Sequence, residues 1–186
     1  MSGAPRPLIF IAYTLAAETA SVYAAWARES LGDASGLRLV LAGNLHVTLV
    51  FCGRVPAERV EEVAQMTRAG IAVDRAPVYT ASRVRVLARS AVALELEAAG
   101  PDRALRGWPL GTLALELSSA GLLRPETREW LPHITVARGR RGQRPSVQVE
   151  LPEMRFAPDA VAVLESVAGP GGVRYEERAR FPLQDG

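Results

Sequence analysis

Both histidines of this 186-residue chain open the same four-residue pattern, histidine–apolar–threonine–apolar. Thr48 stands two residues after His46, and Thr135 stands two residues after His133. Side chains two residues apart share one face of a β-strand, so each pattern predicts a strand with an imidazole and a hydroxyl on one face. The apolar residues of the pattern lie on the other face and require a core behind them. The chain is therefore predicted to contain two comparable strands, each with one polar and one buried face.

Two imidazoles and two hydroxyls are groups that suit a phosphate-transfer reaction. A neutral imidazole can take a proton from a nucleophile while a charged imidazole gives a proton to the leaving group, and histidine does both near its unperturbed pKa of about 6.5. If the two polar faces meet across a cleft, we expect His46 and His133 to be catalytic and Thr48 and Thr135 to bind the phosphate. The alternative is two unrelated strand histidines beside threonines that merely favour strands. The residues alone leave open which histidine is the acid.

The rest of the composition limits the other kinds of site. One cysteine, Cys52, allows no internal disulfide bond, so we expect a cytoplasmic protein in which this thiol lies in the core. Two histidines and one cysteine do not fall at a familiar ligand spacing, so neither a metal nor a cofactor is expected. The apolar run 8–12 is too short to span a membrane and lacks the layout of a signal peptide. We also expect a monomer.

All 22 basic residues are arginine, and the formal net charge of +2 is too small to indicate nucleic-acid binding by itself. Their distribution is more informative, because Arg138, Arg140, Arg141 and Arg144 follow the second motif directly. Arg140 and Arg141 are candidate RNA contacts, although such a charge run is also typical of a solvated loop. Arg138 lies five residues after His133, so strict alternation sends it to the opposite face unless the strand bends or ends there.

Periodicity and turn residues predict an alternation of strands and helices. Strands are expected at 7–14, 45–52, 77–87, 91–97, 132–138, 147–151, 161–166 and 174–181. Helices are expected at 16–31 after a capping Thr14, at 56–69, and at 102–120 with a break near 109–111. Each motif follows a helix, which indicates an approximate duplication. We therefore predict one domain over 1–186 with an α+β fold, in which two pseudo-symmetric antiparallel-sheet lobes with outer helices surround a central cleft.

The motifs of the chain resemble those of the two-histidine (2H) phosphoesterases, and most of all the bacterial and archaeal RNA 2′,3′-cyclic phosphodiesterases, also called 2′-5′ RNA ligases. Residues 44–53 are similar to the family's N-L-H-x-T-L-x-F-x-G signature, and residues 132–138 are similar to P-H-x-T-x-A-R. Residues 8–12 are similar to its first strand, and residues 164–166, 172–175 and 180–183 to its tail. The likeness covers most of the chain.

This resemblance implies a metal-independent reaction that opens the 2′,3′-cyclic phosphate at an RNA 3′ end and leaves a 2′-phosphate. In the family pattern His133 is the general base for water, and His46 is the general acid toward the departing O3′. Thr48 and Thr135 bind the non-bridging oxygens, and Arg138 supplies positive charge to the phosphate. The same reaction in reverse would be a 2′-5′ RNA ligation.

Two other functions stay open at this point. The substrate could be a cyclic phosphate on a small nucleotide or an ADP-ribose derivative, whereas a strong dependence on salt would favour RNA. The protein could instead be a module that binds phosphorylated RNA ends without turnover. Phe51 and Trp130, which stand beside the motifs, are candidates for stacking on a base or for packing in the core.

Overall fold

The computed structural model of the protein describes residues 5–32, 34, 36–71, 76–87, 90–98, 111–123, 129–140, 145–170 and 172–184. Its strands are β1 (Leu8–Leu15), β2 (Leu37–Leu39), β3 (His46–Arg54), β4 (Tyr79–Leu87), β5 (Ala91–Ala98), β6 (His133–Gly139), β7 (Arg155–Phe156), β8 (Pro158–Gly169) and β9 (Gly172–Pro182). Its helices are α1 (Ala17–Leu31), α2 (Val60–Gly70) and α3 (Gly111–Ser119), and short 3-10 turns lie at Ala42–Asn44 and Ala57–Arg59.

The strands form one antiparallel sheet in the order β7-β4-β5-β6-β3-β1-β8-β9, and β2 also pairs with β6. The two motif strands, β3 and β6, pair with each other at Val47 and Ile134, and both of these side chains are fully buried. Farther along β6, β2 takes the place of β3, with Leu39 opposite Ala137. The sheet therefore consists of two halves that meet at a narrow junction between the motif strands.

Each half of the sheet repeats the same order of elements. One half contains β1, α1 and the motif strand β3, and the other contains β5, α3 and the motif strand β6. Helix α1 packs against β2 and β6, whereas α2 packs against α3, β8 and β9. The curled antiparallel sheet with its helices confirms the predicted α+β fold of two pseudo-symmetric lobes.

Helix α1 follows the predicted periodicity, but its start differs from the prediction. Tyr23, Trp26, Ala27 and Leu31 are buried, because residues three, four or eight apart return to the same side of a helix, while Val22 is 59% exposed. Thr14 is not the cap of this helix, since it is still part of β1. Its Oγ1 donates a hydrogen bond to Asp159 Oδ1 at 2.5 Å. Because this hydroxyl is bonded to a residue of the neighbouring strand, it does not cap the helix.

The strand predicted at 147–151 is wrong, although its alternating pattern is real. Val147, Val149 and Leu151 pack against the core while the residues between them are exposed, yet none of the three belongs to a strand. The segment is anchored by a side chain, because Trp26 Nε1 donates to Glu150 O at 3.3 Å. Periodicity reports which side of an extended segment is buried, and it does not report a pairing partner. Of the helix predicted at 102–120, residues 102–110 lie outside the described ranges.

The junction between the halves should be a sensitive point for stability. Replacing Ile134 with alanine removes buried methyl groups from a site with no solvent access, and we expect the free energy of unfolding to fall by about 2–4 kcal/mol. Urea unfolding followed by circular dichroism measures this loss. Leu115→Ala on α3 is the control, because that side chain is 71% exposed and its loss should change stability by less than about 0.5 kcal/mol. Equal losses in both variants would contradict the assigned core.

Candidate active site

A bulge at the last residue of each motif changes which side chains reach the polar face. In β3, Thr48 pairs with Ala12 and Val50 pairs with Ile11, so Leu49 is an extra residue in the ladder. In β6, Thr135 pairs with Ala93 and Ala137 pairs with Val92, so Val136 is the extra residue. A bulge places two consecutive residues against the same side of the sheet, and both extra residues are buried. Neither irregularity has a direct signal in the amino-acid sequence.

The bulges bring the fifth residue after each histidine back to the polar face. Phe51 and Arg138 occupy equivalent places in the two motif strands, and both line the same cleft as His46. Strict alternation would have sent both side chains to the buried face. The bend that Arg138 requires to reach a phosphate is therefore present, and it recurs in β3.

The pairing of Val47 with Ile134 brings the four motif side chains together. In an antiparallel pair this register sets His46 opposite Thr135 and Thr48 opposite His133, all on the face away from the buried pair. All four side chains are partly buried. The structure thus joins the residues that the sequence pattern predicted as one site.

Both imidazoles are held by the same kind of hydrogen bond. His46 Nδ1–H donates to Asn44 O at 2.8 Å, and His133 Nδ1–H donates to Leu131 O at 2.8 Å. A carbonyl oxygen can only accept, so Nδ1 carries the proton in each ring. In the neutral form Nε2 is then the nitrogen that can accept a proton, and in the charged form Nε2 can donate one. Each histidine is oriented by the carbonyl two residues before it.

A cleft of about 580 Å³ lies on the polar face of the sheet. From the predicted set it is lined by His46, Thr48, Arg138 and Phe51, and Phe51 is 58% exposed. His133 and Thr135 adjoin the cleft through the β3–β6 pairing and are not themselves among its lining residues. Trp130 has a structural role. Its Nε1 donates to Thr48 O at 3.0 Å, and its ring packs against the core.

Three cleft residues around His46 had no assigned role in the sequence prediction. The ring centroid of His46 lies 5.1 Å from that of Phe10 and 4.9 Å from that of Tyr175, which meets it edge-on. Asn44 connects the segment before His46 to β9. Its Nδ2 donates to Val173 O at 2.7 Å, and its Oδ1 accepts from Tyr175 N–H at 3.3 Å. The sequence signal for Asn44 was its position two residues before His46. Phe10 and Tyr175 reach the cleft only because β1 and β9 fold next to the motif strand.

The pKa of His46 is lowered to about 4, chiefly because the imidazole is buried. The positive charges of His133 and Arg138 lower it as well, while the hydrogen bond to Asn44 O acts in the opposite direction. His133 and Arg138 are thus close enough to His46 for their charges to act on it. In the free protein at pH 7, His46 is a neutral imidazole.

The structure describes only some of the arginines that the sequence predicted as RNA contacts. Arg140 is exposed and lines a hollow of about 360 Å³ beside the cleft, together with Arg38 and Arg138. Arg141 and Arg144 lie outside the described residues. Cys52 is buried in the core as expected, and burial raises the pKa of its thiol to about 12.

The described residues contain neither a metal-binding cluster nor a membrane-spanning helix. Within the described ranges, no group of three or more His, Cys, Asp or Glu side chains is arranged to hold a metal ion. No helix in the described part of the chain has the length and apolar character to cross a membrane.

No family model matches the chain, and no curated protein matches it. Solved structures do match over nearly its full length. They include a phosphoesterase at 24% identity and a TM-score of 0.76, with 96% of this chain and 99% of that chain covered. Escherichia coli LigT complexed with 3′-AMP gives the same four values. LigT complexed with NADP+ matches at 26% identity and a TM-score of 0.70, with 98% of this chain and 99% of LigT covered.

These likenesses confirm the resemblance that the motifs predicted, because the chain has the fold of the 2H phosphoesterases. Among them it is similar in particular to E. coli LigT.

The lowered pKa of His46 should make the folded protein sensitive to acid. Between pH about 6.5 and about 4, the unfolded chain takes up a proton at this position and the folded chain does not, so stability falls as the pH falls through this window. The loss should be at most about 3 kcal/mol. His46→Gln should flatten this slope in urea titrations at several pH values. Phe51→Ala, a change in the same cleft that removes no titrating group, should keep the wild-type slope, and a His46→Gln slope equal to wild type would contradict the assigned pKa.

Proposed function

We propose that the protein hydrolyses the 2′,3′-cyclic phosphate at RNA 3′ ends to a 2′-phosphate by two-histidine acid–base catalysis. The observation that carries this proposal is the matched pair of imidazoles, each fixed by a 2.8 Å bond from Nδ1 to a carbonyl, on the paired strands β3 and β6. The similarity to phosphoesterases supports the reaction class.

The proposed reaction requires only water and the side chains of the site. Water attacks the phosphorus and gives its proton to the neutral imidazole of His133. The bond between phosphorus and O3′ breaks, and the charged imidazole of His46 gives its proton to O3′. The hydroxyls of Thr48 and Thr135 donate to the non-bridging oxygens, and the guanidinium of Arg138 offsets their negative charge. The products are a 2′-phosphate and a free 3′-hydroxyl.

The lowered pKa of His46 adds a condition to its role as the acid. With a pKa of about 4, only about one free protein molecule in a thousand carries a proton on His46 at pH 7. An anionic phosphate beside the ring would offset the charge of Arg138 and raise this pKa. We therefore infer that His46 gains its proton when the anionic substrate binds.

Proton uptake on ligand binding tests this role. Titration of 3′-AMP into the protein at pH 7, in buffers of different ionisation enthalpy, should show more proton uptake by the wild type than by His46→Gln. The difference between the two proteins removes the contribution of the ligand's own phosphate. Identical uptake would mean that His46 stays neutral in the complex, and the assignment of the acid and the base would then be reversed.

Product analysis tests the reaction itself. We expect an oligoribonucleotide ending in a 2′,3′-cyclic phosphate to be converted to the 2′-phosphate in the presence of EDTA. His46→Ala and His133→Ala should each reduce kcat by about 10²–10⁴-fold, because proton transfer in the transition state contributes on this order. Arg68→Ala, an exposed change on α2, is the matched control and should keep the wild-type rate. Turnover that survives both histidine substitutions would refute the proposal.

A small nucleotide as the substrate is the second candidate, because E. coli LigT binds 3′-AMP and NADP+ in solved structures. A comparison of kcat/KM for a 2′,3′-cyclic mononucleotide and for an oligoribonucleotide with the same terminus separates the two candidates. The third candidate function is that of a binding module. Tight binding of the 2′-phosphate product without any turnover would favour this candidate.

A further inference from the structure

Strands β2 and β6 bring three arginines together at one end of the cleft. Arg38 on β2 lies directly opposite Arg138 on β6. Arg140 follows β6, and its backbone N–H donates to Gly36 O at 3.2 Å. Arg38 and Arg138 line both the cleft and the adjoining 360 Å³ hollow, and Arg140 lines the hollow as well. The two spaces are therefore adjacent, and both are bordered by Arg38 and Arg138.

The charged side chains that the structure describes at this end of the cleft are all positive. Among the described residues, no acidic side chain lines the cleft or the hollow, and none of the three arginines forms an ion pair. Arginines elsewhere on the sheet do form such pairs, for example Arg83 with Glu95 at 2.9 Å. Like charges directly opposite each other on neighbouring strands destabilise a sheet. An anion between them would relieve this repulsion.

The guanidinium of Arg38 lies against a glycine on the other side of the cleft. A Cβ atom at Gly172, the first residue of β9, would lie 2.8 Å from Arg38 Nη1. The Arg38 side chain therefore reaches from β2 to the start of β9, where the glycine leaves room for its guanidinium. This places a positive charge across the end of the cleft.

The opposite side of His46 has a different electrostatic character. A second hollow of about 420 Å³ is lined there by Asp159, Glu177 and Arg180. Arg180 is neutralised by both acids, with nitrogen–oxygen distances of 2.7 Å to each. A polyanionic chain that occupies the cleft would therefore be attracted toward the β2–β6 end rather than toward this hollow.

We propose that Arg38 and Arg140 bind the phosphodiester next to the terminal phosphate, so that the substrate is an oligoribonucleotide whose chain leaves the cleft between β2 and β6. Arg138 stands between the two phosphates, with the terminal one beside the histidines. This inference rests on the proposed function, because it takes the terminal phosphate to lie at His46 and His133. It names Arg38, which has no place in the motifs, as a determinant of substrate length.

Equilibrium binding tests the second phosphate site without requiring turnover. The probes are 3′-AMP and a diribonucleotide that ends in a 3′-phosphate, each titrated at several salt concentrations. The wild type should bind the dinucleotide more tightly, and the logarithm of its affinity should fall more steeply with the logarithm of salt concentration, by about 0.7. In Arg38→Ala the advantage of the dinucleotide should decrease on the order of fivefold, and the additional salt dependence should be lost.

Arg68→Ala is the matched control, because it removes the same charge from an exposed position on α2 and should keep the preference for the dinucleotide. Arg38→Ala should also unfold at no lower urea concentration than the wild type, because it removes a like-charge pair. A ratio of the two affinities that Arg38→Ala leaves unchanged would overturn the inference. If the wild type binds 3′-AMP and the dinucleotide equally, this inference alone fails. If the wild type binds neither, the proposed function fails with it.

Discussion

The pairing of Val47 with Ile134 is the contact on which the candidate site depends. It is the direct strand pairing between two halves of the sheet, which otherwise consist of different strands. Because both side chains are fully buried, the register cannot slip by one residue without moving apolar groups to the polar face. The same register sets each histidine opposite the threonine of the other motif. Stability and site geometry are thus fixed by one contact.

The internal repeat explains more of the site than the histidines alone. Each motif strand has a bulge one residue after its threonine, and each histidine donates to the carbonyl two residues before it. The symmetry ends at the fifth position, where one half has Phe51 and the other has Arg138. One half of the cleft therefore offers an aromatic surface and the other a charge. This difference suits a ligand that has both a base and a phosphate.

Local patterns in the sequence were sufficient to predict the motif strands, α1, the duplication and the fold class. They predicted well because apolar residues that recur at the period of a strand or a helix mark the buried face of that element. The false strand at 147–151 has the same period without a partner strand, which no local pattern can reveal. Arg38 and Tyr175 were not predicted as site residues because β2 and β9 bring them to the cleft through long-range pairing. Phe51 and Arg138 depended on bulges, which alternation does not anticipate.

Burial is the main cause of the lowered pKa of His46, and the charge of Arg138 lowers that pKa further. Arg138 and Arg38 lie together at one end of the cleft, and among the described residues no acidic side chain lines the cleft to balance them. In the free protein this arrangement disfavours a proton on His46 and sets two guanidinium groups against each other. An anion in the cleft would reverse both effects, because it attracts the guanidinium groups and stabilises the charged imidazole. In the proposed reaction, the binding of a phosphate would therefore favour the charged state in which His46 can act as an acid.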